Sequence, residues 1–371
     1  MRRPTLRDIA QATGTSISTV SLALRDDRRI TPAVRKKIQD KASDMGYKVD
    51  LLGVMLRTNN PKVIGVAGCF DQELHSAYSQ QIIDLAASKG YRVITENVSH
   101  YGDYTAAMTA LKEFRVEHTI VINPRYFHDE IRDDLLPTVV IGQVAPTSRC
   151  SVVTSDNTVG MRELAQHLHT LGHRRIIYFN GPKGISSSFR RDALLTAAQQ
   201  RDIAVQVIPA GDNIDAGYQA LNQLVADTWK DSGSSVVLGA GLGRATAIVC
   251  YNDQCAQGVA VGLLRAGITI PHQMSLVGFD NSELASSTAF HLTSIDRDVP
   301  AVARLALDFV IEKIERGSNP GRVTTKGAGS SGSGRGVSVS NTGRHVRVPT
   351  KLVIRSSTGL ATYLNSPVRK V

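Results

Sequence analysis

The sequence lacks the long apolar runs and cysteine pairs that mark membrane proteins and disulfide-stabilised proteins. None of its 371 residues lies in an uninterrupted apolar run of about eighteen residues, which a membrane-spanning helix requires. The four cysteines, Cys69, Cys150, Cys250 and Cys255, form no CxxC pair, so they predict reduced thiols rather than a disulfide framework. The polar N-terminus lacks the apolar core of a secretory signal. We therefore expect a cytoplasmic protein with no membrane partner.

The sequence motifs of common enzyme classes are also missing. The Walker, HExxH and Gly-x-Ser-x-Gly patterns do not occur. The stretch at residues 239–243 is similar to a dinucleotide-binding loop, but Arg244 stands where that loop needs its last glycine. His167 and His169 are two positions apart on a predicted helix, so their side chains diverge and form no metal pair. We predict no catalytic residues, no metal site and no cofactor, and hence no enzymatic activity.

Acidic residues are absent from the C-terminal end of the chain. Residues 321–371 contain 9 Lys and Arg and no carboxylate, and residues 1–60 contain 12 basic and 6 acidic residues. Since the net charge of the whole chain is +10, the middle of the chain is mildly acidic. A basic end is either a solubilising tail or a surface that binds a polyanion, and charge alone does not decide between them.

Residues 1–48 have the pattern of three short helices. The first helix is predicted from Asp8 to Thr13, and Gly14 ends it. Ser16 is in position to cap a second helix, and Thr31 followed by a proline is a strong start for a third. A helix, a glycine turn, a second helix and a supporting third helix form the helix-turn-helix layout, which places short polar side chains in the DNA major groove. The alternative is a helical dimerisation domain with a solvated basic face.

From residue 62 onward, buried-strand runs alternate with amphipathic helices. Strands are predicted at residues 63–67, 91–95, 119–122, 139–141, 175–179, 204–208, 246–251, 275–278 and 346–354. Helices are predicted at residues 78–89, 105–115, 160–171, 190–201, 215–227 and 254–266. This alternation predicts an α/β fold with two similar lobes, each built on a parallel sheet that binds ligands at the C-terminal ends of its strands.

The segment at residues 324–344 is rich in glycine, serine and arginine. Its composition predicts a flexible loop. Because the segment is uniformly basic, it could contact DNA phosphate or an acidic partner; the alternative is a surface insertion without a binding role.

An ordered series of motifs resembles the LacI/GalR family of transcriptional repressors. The N-terminal motifs are Thr5-Leu6-Arg7-Asp8-Ile9-Ala10, Thr19-Val20-Ser21, Ile30-Thr31-Pro32 and Met45-Gly46-Tyr47. The central motifs are Val63-Ile64-Gly65-Val66, Ser155-Asp156-Asn157 and Leu171-Gly172-His173-Arg174-Arg175-Ile176. The C-terminal motifs are Asn252-Asp253, Val277-Gly278-Phe279-Asp280, Leu292-Thr293-Ser294-Ile295 and Pro349-Thr350-Lys351-Leu352-Val353-Ile354. They follow the family order over nearly the whole chain.

The resemblance implies a three-helix DNA-binding domain at residues 1–48, a hinge at 49–60, an effector-binding core at 62–358 and a tail at 359–371. The core would be similar to a periplasmic sugar-binding protein with two lobes. We place lobe 1 at about 62–158 and 292–320 and lobe 2 at about 160–290 and 322–358. The three crossovers between lobes would then lie near Asn157–Met161, Ala289–Leu292 and Asn319–Arg322.

The resemblance also implies a set of DNA-contacting residues. In the helix-turn-helix these are Thr5, Leu6, Ser16, Ile17, Ser18, Thr19, Ser21, Leu22, Arg25 and Thr31. In the hinge, Leu56 falls where the family inserts a leucine into the minor groove, a wedge that bends the duplex. The alternative for Leu56 is packing at a dimer interface. Leu22 replaces an arginine that is frequent in the family, so the operator sequence does not transfer from relatives.

For the effector cleft the resemblance implies Asp71, Tyr78, Arg190, Asn252 and Asp280. An arginine can bind a carboxylate or two vicinal hydroxyls. We interpret Asp71 and Asp280 as a carboxylate pair, which suits a neutral sugar better than a phosphate.

We thus predict a bacterial regulator, in the first instance a repressor, that binds a palindromic operator as a homodimer and responds to a small-molecule effector such as a sugar. A tetramer remains open, although residues 359–371 have no leucine heptad. The alternative function is a ligand-binding module that acts through a protein partner and has weak or lost DNA readout.

Overall fold

A computed structural model describes residues 4–47, 62–98, 104–124, 133–143, 145–232, 245–318 and 342–362. The chain divides into two compact units, Met1–Pro61 and Lys62–Val371. None of the helices in the described ranges is both long and apolar enough to cross a membrane.

The first unit consists of three helices. They are α1 (Leu6–Thr13), α2 (Ile17–Ala23) and α3 (Pro32–Asp44). Ile9, Val20 and Ile38, one from each helix, are fully buried and form a common apolar core. The predicted helix-turn-helix order is therefore present, although α1 begins two residues earlier than predicted because Thr5 and Asp8 form a capping box.

The second unit alternates strands and helices, as predicted. Its helices are α4 (Glu73–Ser88), α5 (Tyr104–Glu113), α6 (Asn157–Thr170), α7 (Ile185–Gln199), α8 (Ile214–Ser232), α9 (Asp253–Arg265), α10 (Glu283–Ser286) and α11 (Val299–Ser318). Its strands are β1 (Val63–Gly68), β2 (Arg92–Asn97), β3 (Thr119–Ile122), β4 (Val139–Ile141), β5 (Ser151–Asp156), β6 (Arg175–Asn180), β7 (Ala204–Pro209), β8 (Ala247–Cys250), β9 (Ser275–Asp280), β10 (Thr293–Asp296), β11 (His345–Pro349) and β12 (Lys351–Val353).

Two six-stranded sheets organise this unit, and each defines one lobe. The first sheet has the order β11-β5-β4-β3-β1-β2 and is parallel throughout. The second has the order β12-β10-β9-β8-β6-β7, in which only β12 runs antiparallel, against β10. The predicted α/β class with parallel sheets is confirmed.

Helices cover both faces of the second sheet. Strand β8 shows the pattern: Ile248 packs with α8 and α9 on one face, while Val249 packs with α6 and α7 on the other. In the first sheet, α4 and α11 cover the face that carries Ile64 and Val153. Burial on two faces explains why these strands are continuous apolar runs rather than alternating ones.

The lobe boundaries differ from those predicted. We placed residues 292–320 in lobe 1, but β10 pairs with β9 in the second sheet. We placed residues 322–358 in lobe 2, but β11 pairs with β5 in the first sheet. The chain therefore crosses between lobes at Asp156, between β10 and α11, and at Thr350. The first crossover lies directly before the predicted Asn157–Met161, whereas the other two lie later in the chain than Ala289–Leu292 and Asn319–Arg322.

The three crossovers contact one another directly. Arg297 Nε donates to Ser155 Oγ at 2.9 Å, and Thr350 Oγ1 donates to the Asp156 carbonyl at 2.8 Å. The Gly160 amide in turn donates to Thr350 Oγ1 at 3.1 Å. A Cβ on Gly160 would lie 2.7 Å from that oxygen, so the position requires a residue without a side chain. The crossovers thus form one hydrogen-bonded junction.

Candidate functional sites

The second helix of the first unit is capped as the sequence predicts. Ser16 has an extended backbone, and its hydroxyl accepts from the Thr19 amide at 3.0 Å. The same oxygen lies 2.7 Å from the Ser18 hydroxyl and 2.8 Å from the Thr19 hydroxyl. Three hydroxyl groups therefore gather at the start of α2, where free backbone N–H groups favour an anion such as a phosphate.

The opposite faces of α2 have different roles. Val20 and Ala23 are fully buried against the other two helices, whereas Ile17 is 45% exposed and Ser18 is also exposed. An exposed isoleucine beside hydroxyl groups can contact a thymine methyl group while the hydroxyls contact phosphates. This face of α2 therefore has the chemistry of a recognition helix.

The predicted DNA-contacting residues of the first unit are all at least partly exposed. The exposed ones are Thr5, Ser16, Ile17, Ser18, Arg25 and Thr31, and the half-buried ones are Leu6, Thr19, Ser21 and Leu22. Some already have internal partners, since the Thr5 hydroxyl donates to Asp8 and Arg25 donates to the Ser21 hydroxyl at 2.7 Å. Thr31 is the N-cap of α3, as predicted, but its side chain makes no capping bond. Leu56 and the rest of the hinge lie outside the described residues.

The second candidate site is a cavity between the two lobes, at the C-terminal ends of their parallel strands. This is where open α/β sheets bind ligands. Its polar lining residues are Gln72, His75, Asn123, Lys183, Ser186, Ser187, Arg190, Asp212, Tyr251, Asn252, Asp280 and Arg297. Both lobes contribute, and polar contacts join them: Asn252 Nδ2 lies 3.4 Å from Gln72 Oε1, and Ser186 Oγ lies 2.6 Å from Asn123 Oδ1.

Arg190 extends from α7 into this cavity and is 3% exposed. Its guanidinium carbon lies 4.2 Å from the ring centre of Tyr251 and 3.7 Å from that of Phe279. Nη1 donates to the Tyr251 carbonyl, whereas Nε is buried with no hydrogen-bond partner. The two rings fix the plane of the guanidinium and support its charge by cation–π contact.

Asp280 ends β9 between two arginines. Its Oδ1 atom lies 3.7 Å from Arg190 Nη2 and 3.6 Å from Arg297 Nη1, distances that permit ion pairing but are too long for good hydrogen bonds. This oxygen is buried and has no hydrogen-bond partner. Burial raises the pKa of Asp280, while the positive charges of Arg190 and Arg297 act in the opposite direction.

Asn252 is the N-cap of α9 and shapes the cavity wall. Its Oδ1 accepts from the Cys255 amide at 2.9 Å, and its Nδ2 donates to the Asp212 carbonyl at 2.9 Å. Asp253 beside it is buried and accepts from Ser294 Oγ and the Ser282 amide, each at 2.7 Å. Burial raises the pKa of Asp253 to about 7, and the charge of Asp280 acts in the same direction.

The cavity brings together three of the five residues predicted for the effector cleft. Arg190, Asn252 and Asp280 line it. Asp71 is exposed and Tyr78 is fully buried, and neither is among its lining residues. The carboxylate pair of Asp71 and Asp280, from which we inferred a neutral sugar, therefore does not line the cavity.

Sequence reasoning missed Arg297, which is buried and lies directly after β10. Its position one residue beyond a strand of the second sheet was the available signal.

Two family models match the chain, and they define its class. The model of bacterial regulatory proteins of the lacI family matches residues 5–50, which include α1 to α3. The model of the periplasmic binding protein-like domain matches residues 165–328, which include most of the second sheet. The fold and both sites thus define a transcriptional regulator that joins a DNA-binding helix-turn-helix to a ligand-binding domain.

Two relatives and one solved structure are similar to the chain over most of its length. The HTH-type transcriptional regulator GalS of Salmonella typhimurium is 27% identical, over 83% of this chain and 89% of the relative. The ribose operon repressor of Escherichia coli is 27% identical over 84% and 93%. The structure of the lac repressor dimer bound to operator and the anti-inducer ONPF superimposes with a TM-score of 0.71 at 21% identity, covering 96% of this chain and all of the other. The chain thus carries a lacI-family DNA-binding domain and a periplasmic binding protein-like domain, and its relatives and structural neighbours are LacI-family regulators, which confirms the predicted resemblance.

Proposed function

We propose that this regulator represses transcription by binding a palindromic operator as a dimer, in the bacterial cytoplasm, and that a small polyhydroxylated effector such as a sugar controls it from the cleft. The lac repressor structure that shares the fold is itself a dimer bound to operator. A dimer presents two copies of α2 to successive turns of the major groove.

The chemical class of the effector is inferred from an unpaired donor and an unpaired acceptor that lie close together in the cleft. Arg190 Nε is a buried donor without a partner, and Asp280 Oδ1 is a buried acceptor without a partner. The guanidinium and the carboxylate lie within 3.7 Å of each other. A sugar hydroxyl donates and accepts at the same time, so two vicinal hydroxyls would satisfy both groups. A purely cationic or purely anionic ligand would satisfy only one of them.

The DNA-binding part of the proposal is tested by selecting duplexes from a random pool with the purified full chain. The expected result is a palindromic consensus whose half-sites lie about one helical turn apart, with affinity that falls steeply as salt rises. Recovery of no consensus would instead favour the ligand-binding module that acts through a protein partner.

The role of α2 is tested with a matched pair of aliphatic substitutions. Ile17→Ala should weaken binding to the selected sequence by about 1–3 kcal/mol, the usual effect of losing one base contact. Val34→Ala on α3 is the control, since Val34 is also exposed, at 36%. Equal effects of the two substitutions would contradict the assignment of α2 as recognition helix.

The effector class is tested by a thermal-shift screen against neutral sugars, polyols, nucleosides and sugar phosphates. A ligand of the folded state present far above its Kd should raise the Tm. Arg190→Ala should abolish the shift, whereas Arg191→Ala should not, because Arg191 is the next residue on the same helix and pairs with Asp192. Asp280→Asn, which keeps the shape of the side chain, provides a second variant if Arg190→Ala fails to fold. A normal shift in the Asp280 variant would remove this pair from the site.

A further inference from the structure

A second cavity, of about 290 Å³, lies at the first crossover, and none of the residues that line it also lines the effector cleft. Its walls come from both lobes. Asn157 and Thr158 belong to the crossover, Arg347 to the edge strand β11, and Phe189 and Ala193 to α7.

The strand register explains why polar groups gather in this cavity. In the parallel pair of β5 and β11, Thr154 lies beside Arg347. Adjacent residues of a strand face opposite ways, and Val153 before Thr154 and Val348 after Arg347 pack in the apolar core of the first lobe. Thr154 and Arg347 therefore lie on the face of the sheet that is turned away from that core.

Several groups in the wall lack partners. Thr154 Oγ1 and Asn157 Oδ1 are buried atoms with no hydrogen bond, in residues only 4% and 7% exposed. An unpaired buried polar group costs about 1–3 kcal/mol, and of these two the Thr154 hydroxyl can donate to an anion, whereas Asn157 Oδ1 can only accept. Arg347 is exposed, and within the described residues its side chain makes no ion pair or hydrogen bond. Phe189 on the facing helix is 52% exposed.

We propose that this cavity binds a small organic anion, a carboxylate or phosphate ester with an apolar ring, between the two lobes. Arg347 is placed to bind the anionic group, because a guanidinium donates two parallel hydrogen bonds to a carboxylate or phosphate. Asp156 also lines the cavity, but in the part of the chain that the structure describes it forms no ion pair with Arg347, and its Oδ1 accepts from the Thr158 amide and hydroxyl. Phe189 offers the face for the apolar part of the ligand.

The chain's own basic segment does not fit this role. Residues 321–344 contain no carboxylate, so they cannot neutralise Arg347. A separate anion is therefore the better charge match.

A ligand in this position would couple to the cleft. It would contact Arg347 in the first lobe and Phe189 in the second, and the cleft lies between the same two lobes. Any ligand that favours one arrangement of the lobes changes the affinity of a second ligand that distinguishes these arrangements, and the effect is reciprocal.

The test titrates the full-length protein with phenyl phosphate and with benzoate, using benzyl alcohol as the neutral match, in a calorimeter. Saturable binding of at least one anion, but not of the alcohol, is expected, and the anion that binds identifies the chemical group. Arg347→Gln and Phe189→Ser should each weaken the Kd about ten-fold or more, as expected for losing a charge-assisted hydrogen bond or a ring contact. Both residues are exposed, so the variants should fold.

Arg92→Gln is the matched control, because Arg92 is an exposed arginine on β2, the opposite edge strand of the same sheet. Its Kd should equal that of the unmodified protein. The proposal is wrong if neither anion binds saturably, if Arg347→Gln leaves the Kd unchanged, or if Arg190→Ala in the cleft removes the binding while Arg347→Gln does not. These outcomes leave the effector cleft untouched, so the two proposals fail independently.

Discussion

Ser16 allows the stability of α2 and its DNA contacts to be separated experimentally. Replacing Ser16 with alanine removes the oxygen that accepts from the Thr19 amide at 3.0 Å. Because α2 has only seven residues, that bond serves a large share of its N-terminal amides. Losing a serine N-cap typically destabilises a helix by about 1 kcal/mol. We therefore expect α2 to open about five times more often in the Ser16→Ala variant.

Hydrogen exchange followed by mass spectrometry measures this opening directly in the full chain. Peptides that cover α2 should exchange about five-fold faster in Ser16→Ala than in the unmodified protein. Peptides from α9 in the second unit should not change. Ser16→Asp should restore slow exchange, because aspartate is an equally good N-cap and its charge is favourable at a helix N-terminus.

The same aspartate variant should lose DNA affinity. In the proposed complex with DNA its carboxylate would stand beside the phosphate backbone, so like charges would repel and the salt-dependent part of binding would fall. Stable α2 with weak DNA binding in Ser16→Asp is thus the expected combination. Unchanged exchange in Ser16→Ala would refute the capping argument. Unchanged DNA affinity in Ser16→Asp would refute the placement of this helix start at the phosphates.

Three further predictions concern other parts of the chain. A Cβ on Gly258 would lie 1.9 Å from a backbone oxygen of α8, whereas a Cβ on Gly262 would meet only the end of the Leu221 side chain, at 2.6 Å. In urea unfolding, Gly258→Ala should therefore lower the free energy of unfolding by about 1–3 kcal/mol, and Gly262→Ala should lower it by less. The pKa of Asp253 is about 7 in the folded protein against an ordinary 3.8, so the folded state binds the proton more tightly and stability should fall as the pH rises between these values. Asp253→Asn should flatten that slope in urea midpoints measured across the same range; a slope equal to that of the unmodified protein would contradict it. Leu56→Ala should weaken operator binding in a filter or fluorescence assay and leave the thermal shift by effector intact, whereas normal operator affinity would exclude the wedge role of Leu56.

Local patterns predicted most individual elements but missed β5, β10, the short helix α10 and the long helix α11, and they gave β11 and β12, which belong to different sheets, as one strand at residues 346–354. The strand predicted at residues 63–67 is β1, and the cap predicted at Ser16 starts α2. Helix α11 was not predicted, although its start carried a signal: the Ala301 amide donates to the Asp298 carboxylate at 3.2 Å, as at an N-cap. A Pro at the second helical position and apolar residues at helical spacing follow that aspartate. The signal was present and was not used.

The assignment of strands to lobes could not be read from local patterns. Strand β10 pairs with β9, a near neighbour in the chain, whereas β11 pairs with the distant β5. His345 lies beside Val152, almost two hundred positions earlier. Only the three-dimensional pairing decides such a contact, since nothing in either segment specifies its distant partner.

The difference between what local sequence patterns determine and what the three-dimensional fold determines also explains which of the predicted residues line the cleft. Asn252 and Asp280 follow predicted strands, and the C-terminal ends of parallel strands meet at one edge of a sheet, so their convergence follows from the fold class. Asp71 also follows a strand, β1, but lies on the exposed loop after it, and its main-chain carbonyl accepts from Gln254 at 3.2 Å. Loop conformation, which the strand rule does not address, decides whether such a residue faces the cavity.

Arg297 provides a physical link between the cleft and the crossovers. Its Nη1 lies 3.6 Å from Asp280 in the cavity, while its Nε donates at 2.9 Å to Ser155 beside the first crossover. A ligand hydroxyl that donates to Asp280 would reduce the negative charge available to Arg297. Because the guanidinium is rigid and planar, a shift of Nη1 moves Nε with it, and Nε belongs to the junction that joins the lobes. In the proposed function, a ligand in the cleft would therefore act on the crossovers directly through the Arg297 side chain.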